Sequence, residues 1–307
     1  MEINLKEHLT AVKWDPDVPP YSFLLVRDFE NAPDIIYKKA IELNQPFNLE
    51  IKINKICIGH SIDKDNYHLC SNVTDEKYVR CYNCEQKDFQ KCFILCDASK
   101  PFGNCSNNPV AYEYCKTHLS SVYLALIANE VKVGVSFSPL KRWINQGADV
   151  AVEIFKAKNG FDARTLEKEI SKTFSISQSI RKTNKARKLN FDLTKSLPEF
   201  HKLKCKVIEF LDQQNYVSQE SDLLHKEQHL SSYYGNISKL ATSPIINDVE
   251  KTNQIVGTVV GMKGKLLITQ VNSSYYVTNL SKIIGRIIEF SDKPLKLKGQ
   301  KSLSDYF

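Results

Sequence analysis

Eight of the nine cysteines in this 307-residue chain fall between Cys57 and Cys115, and only Cys205 lies outside. The spacing is Cys57-x12-Cys70-x10-Cys81-x2-Cys84, followed by Cys92-x3-Cys96-x8-Cys105-x9-Cys115-x2-His118. A Cys-x2-Cys knuckle wraps one ion while backbone N–H groups support its sulfurs. Clustered thiols in a reducing compartment are metal ligands more often than disulfides. Eight thiolates make two tetrahedral zinc sites. The pairing expected is Cys57, Cys70, Cys81 and Cys84 for one, and Cys92, Cys96, Cys105 and Cys115 for the other. His118 is a substitute for Cys115. All-cysteine sites are closed, so both ions are read as structural. An iron–sulfur cluster also accepts four cysteines. His60 and His68 are read as surface loop residues.

A second group of residues has the types needed for phosphate chemistry. Ala163, Leu166, Glu167 and Ile170 stand at i, i+3, i+4 and i+7, which puts them on one helix face. Glu167 is then a carboxylate on an apolar stripe, and such a group requires a cation or a metal. Arg142 lies off the apolar stripe of its own helix, beside Asn145 and Gln146. If both helices pack on one sheet, Tyr123, Arg142 and Glu167 converge. Glu167 would hold Mg²⁺, Tyr123 would orient or activate water, and Arg142 would stabilise charge on phosphorus, with Lys132 as a second cation. The competing reading is a structural Glu167–Arg142 ion pair with Tyr123 half in the core.

The elements that must position these groups can be read from the pattern. The 22–28 run SFLLVRD predicts a strand, Pro33–Leu43 a helix, and the alternating run 48–56 a half-buried strand leading into Cys57. The segment 57–118 has little periodicity and needs metal staples. The runs 121–127 and 131–136 form a hairpin around Ala128-Asn129-Glu130. Pro139 opens a helix, 150–155 is a third strand, and Asp162 is taken as the N-cap of a second helix. The order is β-β-α-β-α. Residues 197–232 read as helical. Four strand-like runs between 254 and 290 predict a small barrel or sheet to which the 48–56 strand can pair. The fold class is α+β, in five parts: 1–56, 57–118, 119–190, 191–290 and a polar tail, 291–307.

The run from Ser121 to Ile170 resembles the core of the GIY-YIG nucleases. Their first motif falls on Ser121-Val122-Tyr123, their second on Lys132-Val133-Gly134, their arginine on Arg142 and their metal-binding glutamate on Glu167. Ser121 replaces the family's first glycine and Lys132 its second tyrosine. The resemblance implies a Mg²⁺-dependent endonuclease. Residues 50–290 also resemble an uncharacterised zinc-containing family of bacteria and archaea. The last eight residues resemble the PIP box that docks on the sliding clamp PCNA. Gln300 would reach a polar side pocket, while Leu303, Tyr306 and Phe307 form a three-pronged plug in one helical turn. That motif implies an archaeal or eukaryotic source.

The formal net charge of +7 counts every cysteine as neutral; two Cys₄ zinc sites would bring it to roughly +3. The basic character is local: ten Lys/Arg lie between Ser171 and Lys206, opposed only by Asp192 and Glu199. Arg181, Lys182, Lys185, Arg187 and Lys188 form its densest part, which reads as a phosphate-tracking patch or a solvated helix face. The longest apolar run, Val122–Ala128, is too short to span a bilayer, and the N-terminus lacks a signal-peptide core. The expectation is therefore a cytoplasmic protein with no membrane partner. The favoured function is clamp-recruited DNA processing, with a structure-selective endonuclease as its sharpest form. The alternatives are a non-catalytic DNA- and clamp-binding adaptor and an RNA-binding protein.

Overall fold

The computed structural model describes residues 6–17, 20–94, 96, 108–180, 186, 188–189, 192–240 and 242–291. It is a mixed α and β protein whose chain divides into two compact units. The described parts of Met1–Gly59, Leu69–Cys84 and Tyr234–Phe307 make the first. His60–His68 and Glu85–Tyr233 make the second. This differs from the five-part reading above. The cysteine segment 57–118 is not one block: Cys57, Cys70, Cys81 and Cys84 belong to the first unit, and Cys92, Cys96 and Cys115 to the second. Pairing between strands far apart in sequence sets the division, and no local pattern carries it.

The first unit is built on two sheets. Strands β1 (Glu7–Asp15), β2 (Tyr21–Asp28) and β3 (Ala32–Ile41) form an antiparallel meander. Next in the chain is β4 (Leu49–Ile56). The short strands β5 (His60–Ser61) and β6 (Tyr67–His68) pair as a ribbon of the second unit, while β7 (Val73–Thr74) pairs with β4. The helix expected over 33–43 is instead the edge strand β3. Its helical spacing is overruled because β2 offers an open edge that Ile36, Tyr37 and their neighbours fill as a strand. Tyr37 Oη donates to Glu7 Oε1 at 2.7 Å, and Lys39 Nζ lies 3.1 Å from the same oxygen.

After the β5–β6 ribbon, the described residues of the second unit continue with the short helices α1 (Tyr82–Lys87, which begins in the first unit), α2 (Phe89–Ile94) and α3 (Pro109–Thr117). Its central element is the hairpin β8 (Ser120–Ile127) and β9 (Glu130–Ser136). After it come α4 (Pro139–Gln146), β10 (Val150–Ala157) and α5 (Gly160–Thr173). Every residue of β8 is buried, because it lies between β9 and β10 in the sheet. Ala128 and Asn129, with φ of 51° and 64°, make the hairpin turn. Pro139 starts α4 and Gly147, at φ 71°, ends it. Helix α5 starts earlier than Asp162. Its N-cap is Asn159, whose side chain accepts from the Asp162 N–H.

Helix α6 (Leu193–Gln213) packs Phe200, Val207 and Leu211 into the core formed by Val122, Leu124, Leu126, Leu166 and Ile170. It ends well before residue 232. Asn215 turns left-handed at φ 56°. The N–H groups of Asn215 and Tyr216 return to the carbonyls of Asp212 and Leu211, a Schellman closure that stops the helix. Strand β11 (Gln228–His229) then pairs with β10.

The chain re-enters the first unit and supplies β12 (Ile245–Asn247), helix α7 (Val249–Thr252), β13 (Gln254–Ile255), β14 (Thr258–Lys263), β15 (Leu266–Val271), β16 (Ser274–Asn279) and β17 (Arg286–Phe290). The larger sheet runs β13-β4-β17-β1-β2-β3, and the smaller one β12-β16-β15-β14. The 48–56 strand thus pairs with C-terminal strands, Ile51 opposite Ile288. Trp14 of β1 donates its indole N–H to the Gly264 carbonyl between β14 and β15 at 2.7 Å. No helix among the described residues is long and apolar enough to cross a membrane.

Candidate functional site

Cys57 follows β4, Cys70 and Cys81 flank β7, and Cys84 sits in α1. Together they bring four Sγ atoms within 4.8 Å of one another. Cys70 and Cys81 are 4.0 Å apart. A tetrahedron with Zn–S bonds of about 2.3 Å has S···S edges of roughly 3.8 Å, so the donor set fits a closed Cys₄ zinc site. The N–H groups of Gly59 and Cys81 point at Cys57 Sγ, at 3.4 and 3.2 Å. Burial pushes the Cys57 and Cys84 thiols up, while the Cys84 N–H draws Cys81 down to about 6. Four crowded thiols cannot all ionise alone; a divalent cation would take all four as thiolates.

The segments carrying these ligands are held from below by a buried pair. Arg27 is 1 % exposed and His8 0 %. Arg27 Nε donates to His8 Nδ1 at 2.8 Å, Nη1 to the Pro33 carbonyl at 3.0 Å and Nη2 to the Cys70 carbonyl at 2.6 Å. Since Nδ1 accepts, His8 Nε2 carries the proton and donates to the Ile56 carbonyl at 3.2 Å. Burial, reinforced by the Arg27 charge, lowers the His8 pKa to about 4. One arginine–histidine pair therefore ties the sheet to the backbone of Cys70 and to the residue before Cys57.

In the second unit, Cys92, Cys96 and Cys115 line one cavity of about 280 Å³ with Phe93, Tyr114 and Phe137. Cys105 lies outside the described residues. His118 is exposed and does not line that cavity. Its ring stacks on Tyr114 at 3.7 Å, and Nδ1 lies 2.9 Å from the Tyr114 carbonyl. His60, expected on a surface loop, is buried, its ring 4.9 Å from that of the exposed His68.

A larger cleft in the second unit, of about 950 Å³, brings together Tyr123 of β8, Lys132 of β9, Arg142 of α4 and Glu167 of α5. Tyr123 is wholly buried. Its ring lies over Gly134, its partner in register on β9; a Cβ there would sit 2.5 Å from Tyr123 Cζ and Oη. The glycine thus clears the space that the phenol occupies. Trp143 meets the ring edge-on at 5.9 Å. Burial pushes the Tyr123 hydroxyl above its usual range, partly offset by the Arg142 charge. With its oxygen toward Arg142, the Gln146 amide accepts from Nε at 2.8 Å and Nη2 at 3.2 Å, and its nitrogen donates to Tyr123 Oη at 3.0 Å. Lys132 Nζ lies 5.9 Å from the Tyr123 ring centroid.

Glu167 is 5 % exposed, and its cation is Arg164 rather than Arg142: Arg164 Nη1 donates to Glu167 Oε2 at 2.8 Å. Arg164 Nη2 donates to the Phe93 carbonyl at 2.6 Å. Gln146, Arg164, Lys168, Ser171, Lys172, Gln178 and Ser179 complete the polar lining, and none of them was named as a site residue from the sequence. The signal was present. Arg164, Glu167, Lys168, Ser171 and Lys172 stand at i, i+3, i+4, i+7 and i+8, one continuous face of α5. Among the lining residues five cations, Lys132, Arg142, Arg164, Lys168 and Lys172, face a single carboxylate.

Lys188 is described and lies at the β8–β9 turn, where Nζ donates to Asn129 Oδ1 at 2.7 Å and pairs with Glu130. Arg181, Lys182, Lys185 and Arg187 lie outside the described residues, as do Gln300, Leu303, Tyr306 and Phe307.

Fold and site together define a mixed α and β protein with a four-cysteine cluster of metal-site geometry and a basic cleft. The chain belongs to the family described as protein of unknown function (DUF2797), whose model matches residues 45–288. No curated protein and no solved structure matches it.

Proposed function

We propose that this chain is a Mg²⁺-dependent endonuclease of GIY-YIG type acting on DNA. The observation that carries the reading is that Tyr123, Lys132, Arg142 and Glu167, drawn from four elements, line one cleft. Glu167 would hold Mg²⁺, which supplies polarisation of a phosphoryl oxygen when bound. The Tyr123 phenol stays neutral in its buried place, so its role is to orient the attacking water rather than to deprotonate it. Arg142, fixed by Gln146, and Lys132 stabilise charge that builds on the phosphoryl oxygens as the leaving oxygen departs.

The same reading gives zinc a structural role at Cys57, Cys70, Cys81 and Cys84, with a second ion at Cys92, Cys96, Cys105 and Cys115. It gives the C-terminal octapeptide the task of docking on the PCNA clamp. One observation favours the second reading, a non-catalytic DNA- and clamp-binding adaptor: Glu167 is already engaged by Arg164.

The deciding experiment assays purified protein with Mg²⁺ on flap, fork and single-stranded DNA. The nuclease reading expects cleavage that Glu167→Ala abolishes while zinc content and folding are kept. Absence of cleavage by the unaltered protein leaves the adaptor. Deleting Gln300–Phe307 should abolish co-elution with the clamp; persistent co-elution removes the tail from the account.

A further inference from the structure

The cleft has two chemistries on its walls. Helix α5 presents Arg164, Lys168 and Lys172 at i, i+4 and i+8, all lining the cleft. With a rise of 1.5 Å per residue these cations stand about 6 Å apart and extend over about 12 Å. That step is close to the separation of neighbouring phosphates on one strand. A mononucleotide would engage one or two of these positions; three in a row suit a polymer backbone.

Helix α2 supplies the other chemistry. Phe93 and Ile94 line the same cleft, and Ile94 is 70 % exposed. A duplex turns phosphates and sugars outward and keeps its base faces stacked inside, so it offers such a surface nothing apolar to cover. A single strand offers both parts: a charged backbone for the cations and base faces for the apolar wall. Tyr123 and Glu167, 0 % and 5 % exposed, line the same cleft.

We infer that the cleft takes a single nucleic-acid strand, its backbone laid along α5 over Arg164, Lys168 and Lys172 and its bases turned to Phe93 and Ile94. The inference rests on the nucleic-acid reading of the cleft and adds the substrate form and its path. Lys168 and Lys172 act as backbone contacts and Ile94 as a base contact; none of the three is part of the reacting group.

The test is equilibrium binding by fluorescence anisotropy with the full chain in Mg²⁺-free buffer. The probes are labelled oligo-dT and the same strand annealed to oligo-dA, each titrated over a series of salt concentrations. The strand should bind more tightly than the duplex at every salt. Lys168→Gln with Lys172→Gln should reduce the slope of log K against log salt by about 1.4, because each single-strand phosphate contact contributes about 0.7. Ile94→Ser should weaken binding roughly tenfold at all salts, displacing the line without changing its slope. All three side chains are exposed, so the variants should keep their zinc and their fold.

Equal or tighter binding of the duplex, or an unchanged salt slope in the double variant, overturns the inference. The two readings fail separately. Cleavage lost in Glu167→Ala together with a preference for duplex leaves the nuclease and removes the strand path. Strand binding with the expected slopes, but no cleavage, keeps the strand path and removes the nuclease.

Discussion

Gly134→Ala tests whether the glycine of β9 exists to seat Tyr123. The added Cβ would lie 2.5 Å from Cζ and Oη of the phenol. Carbon atoms in contact rest about 3.5–4.0 Å apart, so the ring must retreat by at least about 1 Å. Tyr123 is 0 % exposed, and the Trp143 ring it meets edge-on is 0 % exposed as well, so packed atoms must move with the ring. An inserted methyl in a packed core costs about 1–3 kcal/mol. Replacing glycine in a strand returns about 0.5–1 kcal/mol of backbone entropy. The net loss should be about 1–2 kcal/mol.

Native-state hydrogen exchange at the β8 amides reads this loss in the second unit alone, without treating the whole chain as one transition. Their exchange should quicken by about 5–30-fold. Tyr123→Leu removes the clashing atoms, so in that background Gly134→Ala should cost nothing or stabilise slightly, a coupling of about 1.5 kcal/mol. If the two changes add within about 0.5 kcal/mol, the glycine does not serve the tyrosine and the seat of the phenol is not a built one.

Two further outcomes are expected in the first unit. Cys81→Ser combined with Cys84→Ser should remove one equivalent of zinc, measured by plasma mass spectrometry, and speed exchange at β7; unchanged zinc content would show that the four thiols hold no ion. His8 binds its proton more weakly in the folded state, its pKa falling from 6.5 to about 4. The unfolded chain therefore holds more protons between those values, and stability rises with pH across that window. The contribution, about 3 kcal/mol, is complete above pH 6.5 and lost as the pH falls toward 4. His8→Asn should flatten that dependence in denaturant titrations at successive pH values; an equal slope in both proteins would refute the assignment.

The parts legible in the sequence were those with rare residue types or strict local periods. Thiols are scarce enough that the spacing alone grouped Cys57, Cys70, Cys81 and Cys84. The hairpin, Pro139 and the apolar stripe of α5 marked the order β-β-α-β-α and the place of Glu167, and the resemblance to a nuclease core singled out Tyr123, Lys132 and Arg142. Gln146 could be placed beside Arg142, but its role could not be read, because a glutamine that fixes an arginine looks like any polar residue on a helix. Arg164 is not legible as the partner of Glu167 because the sequence offers Arg142 on another helix equally well, whereas the bond forms three residues away on α5. Segment β3 read as a helix because its pattern says nothing of the open edge of β2. The same holds for the units: Ile51 finds Ile288 across nearly the whole chain, and no window of sequence records that.

The chain leaves the first unit after Gly59, returns at Leu69, leaves again after Cys84 and returns at Tyr234. The first excursion begins and ends between two ligands of the same cysteine cluster, Cys57 and Cys70, so an ion held there would close a ring of chain around residues 60–68. Neither unit is a contiguous stretch that one cut or one recombination event could lift out whole. A fragment carrying the cleft as Glu85–Tyr233 would lack residues 60–68, and a fragment carrying the whole of the first unit would include the cleft between Cys84 and Tyr234. The two units are thus threaded through one another along the chain, so that no single cut of the chain separates the thiol cluster's unit from the cleft's unit with both whole.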